Sequence, residues 1–203
     1  MKRVDYKKEL SRLYKPSAKR VEIVEVPRLN YLVIDGEGDP NRSQSFQDAV
    51  DALFPLSYAL KFMVQRGETG MDYGVMPLEG LWWADDMSPF SVENKDGWKW
   101  TLMMMQPELV TVEMFWSVLA QVKAKKNPPS LPLVRFEGFE EGKVAQTLHI
   151  GPFSEEGPTV EKVHAFIEES GSRRKGKHHE IYLSDIRRAA PERWKTVIRQ
   201  PIA

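Results

Sequence analysis

The sequence contains no cysteine, which excludes disulfides, thiolate nucleophiles and thiolate metal sites at once. It has no excess of either charge: 29 basic side chains stand against 29 acidic ones, for a formal net charge of zero. Affinity built on neutralising phosphates needs a clustered positive excess, so direct nucleic-acid binding is not expected. No apolar run approaches the roughly eighteen residues of a membrane span, and Met1 is followed by charged residues rather than an apolar stretch. The expectation is a soluble, cytoplasmic protein that does not engage membranes. Histidines are few, and the four present make no i, i+4 pair; His178 and His179 are adjacent and point to opposite sides of a strand, with no third ligand beside them. No nucleophile elbow and no phosphate loop occurs either. Neither a metal nor any other cofactor is therefore expected.

What the chain does hold in quantity is rings and thioethers. Its 203 residues include six Trp and nine Met, clustered in the middle of the sequence. Such side chains supply large, polarizable surfaces that suit either a core or an adaptable pocket. The length allows one domain or two small ones with a sizeable core.

In chain order, residues 1–20 form a basic arm, with Arg3, Lys7, Lys8 and Arg12 among its cations and only Asp5 and Glu9 against them; it reads as a solvated arm lying on the domain. Val21–Val26 alternates and stops at Pro27, and Tyr31–Ile34 is a second strand ending in a dense turn at 35–40. From Ser43 to Gly67 apolar residues recur at helical spacing, with a kink or two segments expected at Pro55. Strand signals follow at 73–83 and 98–107, the latter apolar on both faces and hence central. A helix behind Thr111 ends at Asn127-Pro128-Pro129, and 127–132 reads as a linker. Thereafter come strands at 133–136 and 143–150, a helix at 159–170, a strand around His178–Leu183 and a last strand at 195–201.

The two halves share one order of elements, and Met105-Gln106-Pro107 ends the first as Arg199-Gln200-Pro201 ends the second. The reading is a duplication of βαββ units, about 21–126 and about 133–203. The fold class expected is α+β, an antiparallel sheet with helices on one face and a central ligand groove where the halves meet.

The stretch that carries the functional argument is His178-His179-Glu180-Ile181-Tyr182. On an extended strand Glu180 and Tyr182 share one face while His179 and Ile181 take the other. A glutamate on a half-buried strand costs stability unless it is paired, and either a ligand cation or a nearby lysine would serve. Trp82, Trp83, Trp100, Tyr73, Tyr182, Met103, Met105 and Phe153 are the candidate walls of a ligand site. Taken singly, each reads first as a core residue; together they exceed what a core requires.

Several long motifs occur in order: Leu78-Glu79-Gly80-Leu81-Trp82-Trp83, Trp98-Lys99-Trp100-Thr101 with its Met-rich tail, His149-Ile150-Gly151-Pro152-Phe153, and Gly176 through Asp185 followed by Lys195–Pro201. In these the chain resembles the freestanding GyrI-like small-molecule-binding domain proteins. The resemblance implies two βαββ units around a groove that takes lipophilic aromatic or cationic small molecules, with Glu180 at the position of the acid that recognises the cation. It also implies two alternatives: a metal-free hydrolase that opens the cyclopropane ring of DNA-alkylating natural products, or an interaction protein of the gyrase-inhibitor kind. In the hydrolase reading Glu180, its pKa raised by burial, orients water or acts as general acid/base, and Tyr182 hydrogen-bonds the developing phenolate. Glu79 is the second acid available to that chemistry; its other reading is a turn glutamate beside Gly80. Ile186 departs from the family pattern, which often has Pro after Ser-Asp. No DNA-binding module is attached, so a transcription-factor role is not the expectation.

Overall fold

A computed structural model describes residues 3–85 and 97–203. In chain order the described elements are β1 (Arg3–Val4), α1 (Tyr6–Glu9), α2 (Ser11–Tyr14), β2 (Glu22–Val26), β3 (Leu29–Glu37) and α3 (Gln44–Arg66). There follow β4 (Asp72–Tyr73), β5 (Leu78–Trp83), β6 (Lys99–Gln106), α4 (Val112–Lys125), β7 (Arg135–Phe139), β8 (Gly142–Ile150), α5 (Gly157–Glu169), β9 (His178–Tyr182) and β10 (Lys195–Pro201). The class is α+β with antiparallel strand pairs.

The chain makes two compact units. The first contains Met1–Tyr6, Leu29–Met76 and Trp82–Phe139; the second contains Lys7–Arg28, Pro77–Leu81 and Glu140–Ala203. In the first, β3 lies between β6 and β7, paired from Asn30↔Gln106 to Glu37↔Lys99 on one side and from Leu29↔Phe139 to Val33↔Arg135 on the other. In the second, β10 lies between β8 and β9, and β2 pairs with the far side of β8. Two βαββ repeats are visible, β3-α3-β5-β6 and β8-α5-β9-β10, with matching neighbour orders β5-β6-β3 and β9-β10-β8. The strand preceding each repeat goes elsewhere: β2 leads into β3 along the chain but pairs with β8, and β7 leads into β8 but pairs with β3.

Local chemistry explains the helices. The Ser43 side chain accepts the Phe46 N–H, and the Gly67 N–H closes the other end of α3 onto Met63 and Val64. The break expected at Pro55 does not occur, and α3 is one continuous helix. Proline removes a single N–H there, and the buried row Ala49, Ala52, Leu53, Leu56, Leu60 and Val64 contributes roughly 1.5–3 kcal/mol per large side chain, enough to offset a loss of about 3 kcal/mol. In α4 the row Phe115, Val118, Val122 is buried, while Trp116 is 60% exposed. One residue is a rotation of about 100° on a helix, and that carries Trp116 off the buried stripe. In the second unit α5 seats Val163 and Ile167 on Ala145, Ile198, Ile202 and Val21. Among the described residues no helix is long and apolar enough to cross a membrane.

Within the N-terminal segment the cations Lys7, Lys8, Arg12 and Lys15 are exposed, while the side chains between Arg12 and Lys15 are not. Leu13 and Tyr14 are buried in the second unit, and the carbonyls of Arg12 and Leu13 accept hydrogen bonds from Gln146 and Arg199.

Candidate functional site

Strand β9 carries the site because alternation gives its two faces different chemistry. Its register against β10 sets Glu180 opposite Ile198 and Tyr182 opposite Thr196, so these side chains share the face on which Ile198 meets α5. His179 sits opposite Arg199 and Ile181 opposite Val197 on the other face.

On the α5 face His178, Glu180 and Tyr182 form a line. His178 Nε2 lies 3.0 Å from Glu180 Oε1, and the Tyr182 hydroxyl donates to Glu180 Oε2 at 2.7 Å. The Glu180 side chain keeps 17% of its exposure. Beside it the Tyr182 ring meets Phe153 edge-on at 5.6 Å, and Phe153 leans on Trp194 at 4.9 Å. Trp194 is fixed by its Nε1–H donating to the Ala189 carbonyl, and Phe153 is 40% exposed. Burial by itself would raise the Glu180 pKa, but hydrogen bonds from His178 and Tyr182, with the charges of His178 and His179, outweigh it and hold the carboxyl below its usual range. This corrects the expectation of a raised pKa: Glu180 is an ionised acceptor, suited to a cation or to a proton that it takes up, and not a standing proton donor.

The opposite face is a sealed chain of charges. His179 places Nε2 3.0 Å from Glu79 Oε2 and Nδ1 3.0 Å from Glu141 Oε1. A neutral imidazole has one N–H, so only the imidazolium satisfies both carboxylates. Burial would lower its pKa; the charge of Glu141 and the hydrogen bonds to Glu141 and Glu79 override that and raise it to about 9. Burial likewise works against the Glu141 carboxylate, yet His179 and Arg199 hold its pKa below the ordinary value. Arg199 donates to Glu141, to Gln146 Oε1 and to the Leu13 carbonyl, and the Tyr14 hydroxyl donates to Glu79 Oε1 at 2.6 Å. Two carboxylates balance two cations with essentially no exposure, which is the condition under which buried charges persist.

Of the residues marked from sequence, Glu180, Tyr182 and Phe153 come together in the second unit. Glu79 is in that unit as well, on the far side of β9 from Glu180 and held by Tyr14 and His179. Trp82, Trp100, Tyr73, Met103 and Met105 are buried within the first unit, and Trp83 is half-buried there. Trp82 stacks on Phe46 and meets Trp98 edge-on, and Trp100 meets Phe46 edge-on. The Trp100 ring lies over Gly36, where an added Cβ would stand 2.1 Å from Cη2. Two buried polar groups of this set, the Tyr73 hydroxyl and the Trp100 Nε1–H, have no hydrogen-bond partner among the described residues. Burial, helped by Tyr6, raises the Tyr73 pKa.

Sequence reasoning gave His178 and His179 no partners and missed Glu141, Arg199, Tyr14 and Trp194. An arginine following Val197-Ile198 in an apolar strand was the one available signal, since such a cation must find an acid. Glu141 stands in a Glu-Glu-Gly sequence of the kind that marks an ordinary turn. The loop after Ser184 carries Ile186 in exposed position and is tied by Asp185, which accepts from the Arg187 N–H and guanidinium. Among the described residues no group of three or more His, Asp or Glu side chains is placed to hold a metal ion.

The chain belongs to the GyrI-like small molecule binding domain family, whose profile matches residues 19–203. Three crystal structures from Listeria innocua are similar to it. An uncharacterized conserved protein is 40% identical with a TM-score of 0.90, the match covering 98% of this chain and 100% of that one. A protein described as a hydrolase is 39% identical with a TM-score of 0.88, over 100% of both chains. Another described as a hydrolase is 38% identical with a TM-score of 0.85, over 98% of this chain and 100% of that one. No curated protein matches the sequence.

Proposed function

We propose that the protein captures bulky aromatic compounds, lipophilic cations foremost, with Glu180 as the counter-charge and Tyr182 and Phe153 as ring surfaces. The observation that carries this reading is the state of Glu180: a carboxylate kept ionised by His178 and Tyr182, mostly but not wholly desolvated. Such a group attracts a delocalised cation more strongly than a surface carboxylate does, and each ring face adds about 0.5–2 kcal/mol of cation–π attraction. The compounds that fit are xenobiotic in type, and capture would protect the cell from them. Binding of crystal violet, a triarylmethane cation, followed by calorimetry tests it. Glu180→Gln should weaken binding roughly tenfold or more with the fold retained; unchanged affinity rejects the reading.

A second reading is favoured by the relatives described as hydrolases at 38–39% identity. Glu180, ionised, takes a proton from water as that water attacks a cyclopropane carbon. The strained C–C bond breaks, its electrons pass into the conjugated ring system, and Tyr182, whose hydroxyl turns away from Glu180 once that carboxyl has taken the proton, donates to the phenolate formed. Turnover of a cyclopropane-bearing alkylator by the purified protein, abolished by Glu180→Gln, distinguishes this from capture alone.

A further inference from the structure

His179 and Glu180 are consecutive on β9, and the ring of His179 is gripped at both nitrogens by acids from different elements, Glu79 on β5 and Glu141 in the turn before β8. The second oxygen of Glu79 takes its hydrogen bond from Tyr14, and Arg199, the register partner of His179, binds both Glu141 and the Leu13 carbonyl. Gln146, which receives two bonds from Arg199, donates to the Arg12 carbonyl at 2.6 Å. Residues 12–14 thus supply two carbonyls and one hydroxyl to side chains that water does not reach. These residues lie ahead of the stretch 19–203 that defines the family.

We propose that Tyr14, acting through Glu79 and His179, is a positioning residue for Glu180, so that the N-terminal segment is the rear support of the ligand site. This rests on the reading of Glu180 as the ligand carboxylate. The physical link is short. A strand pinned through its rear side chain can neither rotate nor slip without breaking that grip, and alternation then fixes where the next side chain projects. Removing the Tyr14 hydroxyl leaves Glu79 Oε1 without its donor in a dry site. Glu79 must then draw more on His179, and the imidazolium that stands directly behind Glu180 shifts with it. Glu79 thereby acquires a role that needs no contact with substrate.

The test uses the full chain, circular dichroism, and calorimetry with crystal violet and its neutral leuco form, on the natural protein, Tyr14→Phe, Glu180→Gln and the double variant. Tyr14→Phe should keep its spectrum and bind the cation about 3–10-fold more weakly, leave the leuco form unchanged, and have no further effect once Glu180 is Gln. If Tyr14→Phe unfolds, Glu79→Gln, which keeps volume and an acceptor for Tyr14, should show the same pattern. A variant that melts earlier yet binds the cation as the natural protein does overturns the proposal, as does an equal loss in the Glu180→Gln background. Should Glu180→Gln itself bind like the natural protein, the reading of Glu180 fails independently of Tyr14.

Discussion

The two faces of β9 carry the same pair of residue types and use them in opposite ways. Behind the strand, His179 meets Glu79 and Glu141 in a chain closed by Arg199 and Tyr14, with no exposure left. In front, His178 meets Glu180, which retains contact with the outside and has rings beside it in place of a balancing cation on its far side. A glutamate–histidine contact is therefore not a function in itself. What separates structure from site is whether the charges are sealed and balanced or left partly open.

Breaking the sealed side should produce the largest effect. Arg199→Met or Glu141→Gln strands a buried charge, and either should lower unfolding free energy by about 3–5 kcal/mol in denaturant titrations. Loss below 1 kcal/mol would mean that water enters the chain.

The next effect is a pH dependence. His179 has its pKa raised in the folded chain from 6.5 to about 9, so its contribution is fully present below pH 6.5 and is lost as pH rises through about 9. The contribution is on the order of 3 kcal/mol. Glu141 works in the other direction: its lowered pKa contributes stability above the ordinary carboxylate range that is lost as pH falls. The urea midpoint should fall between pH 6.5 and 9, and His179→Gln should flatten that limb.

A smaller loss is expected in the other unit, where packing and not charge is at stake. Gly36→Ala would drive a methyl into the Trp100 ring and should cost about 1–3 kcal/mol, visible as a lower melting temperature and altered near-ultraviolet dichroism. Smallest of all is Glu180→Gln, which should change folding stability by less than about 1 kcal/mol while weakening cation binding by about tenfold or more. Equal stability losses at Glu180 and Glu141 would erase the contrast between the faces.

Periodicity made most of the fold legible. The strands expected at 21–26, 31–34 and 195–201 and the helix behind Thr111 are found at 22–26, 29–37, 195–201 and 112–125, the second running on through Asp35-Gly36-Glu37, which reads in sequence as the start of a turn. Glu180 and Tyr182 were legible for the same reason, being two apart on a strand. The rear chain was not, because Tyr14, Glu79, Glu141, His179 and Arg199 are scattered over most of the chain and each has an ordinary local reading. Only the pairing of β9 with β10 and the return of residues 12–14 bring them together. Composition also misled at the N-terminus, where the cations around Leu13 and Tyr14 concealed two buried side chains.

The crossed leading strands bear on how such a chain can be divided. Severed between α4 and β7, the chain would give an upstream fragment that keeps β2 but loses its partner β8, and a downstream one that starts with β7 but lacks β3. Neither fragment should be stable alone, and mixing them should restore the fold. A chain holding one such repeat with this wiring would have to seat its leading strand on a second copy, each lending that strand to its twin.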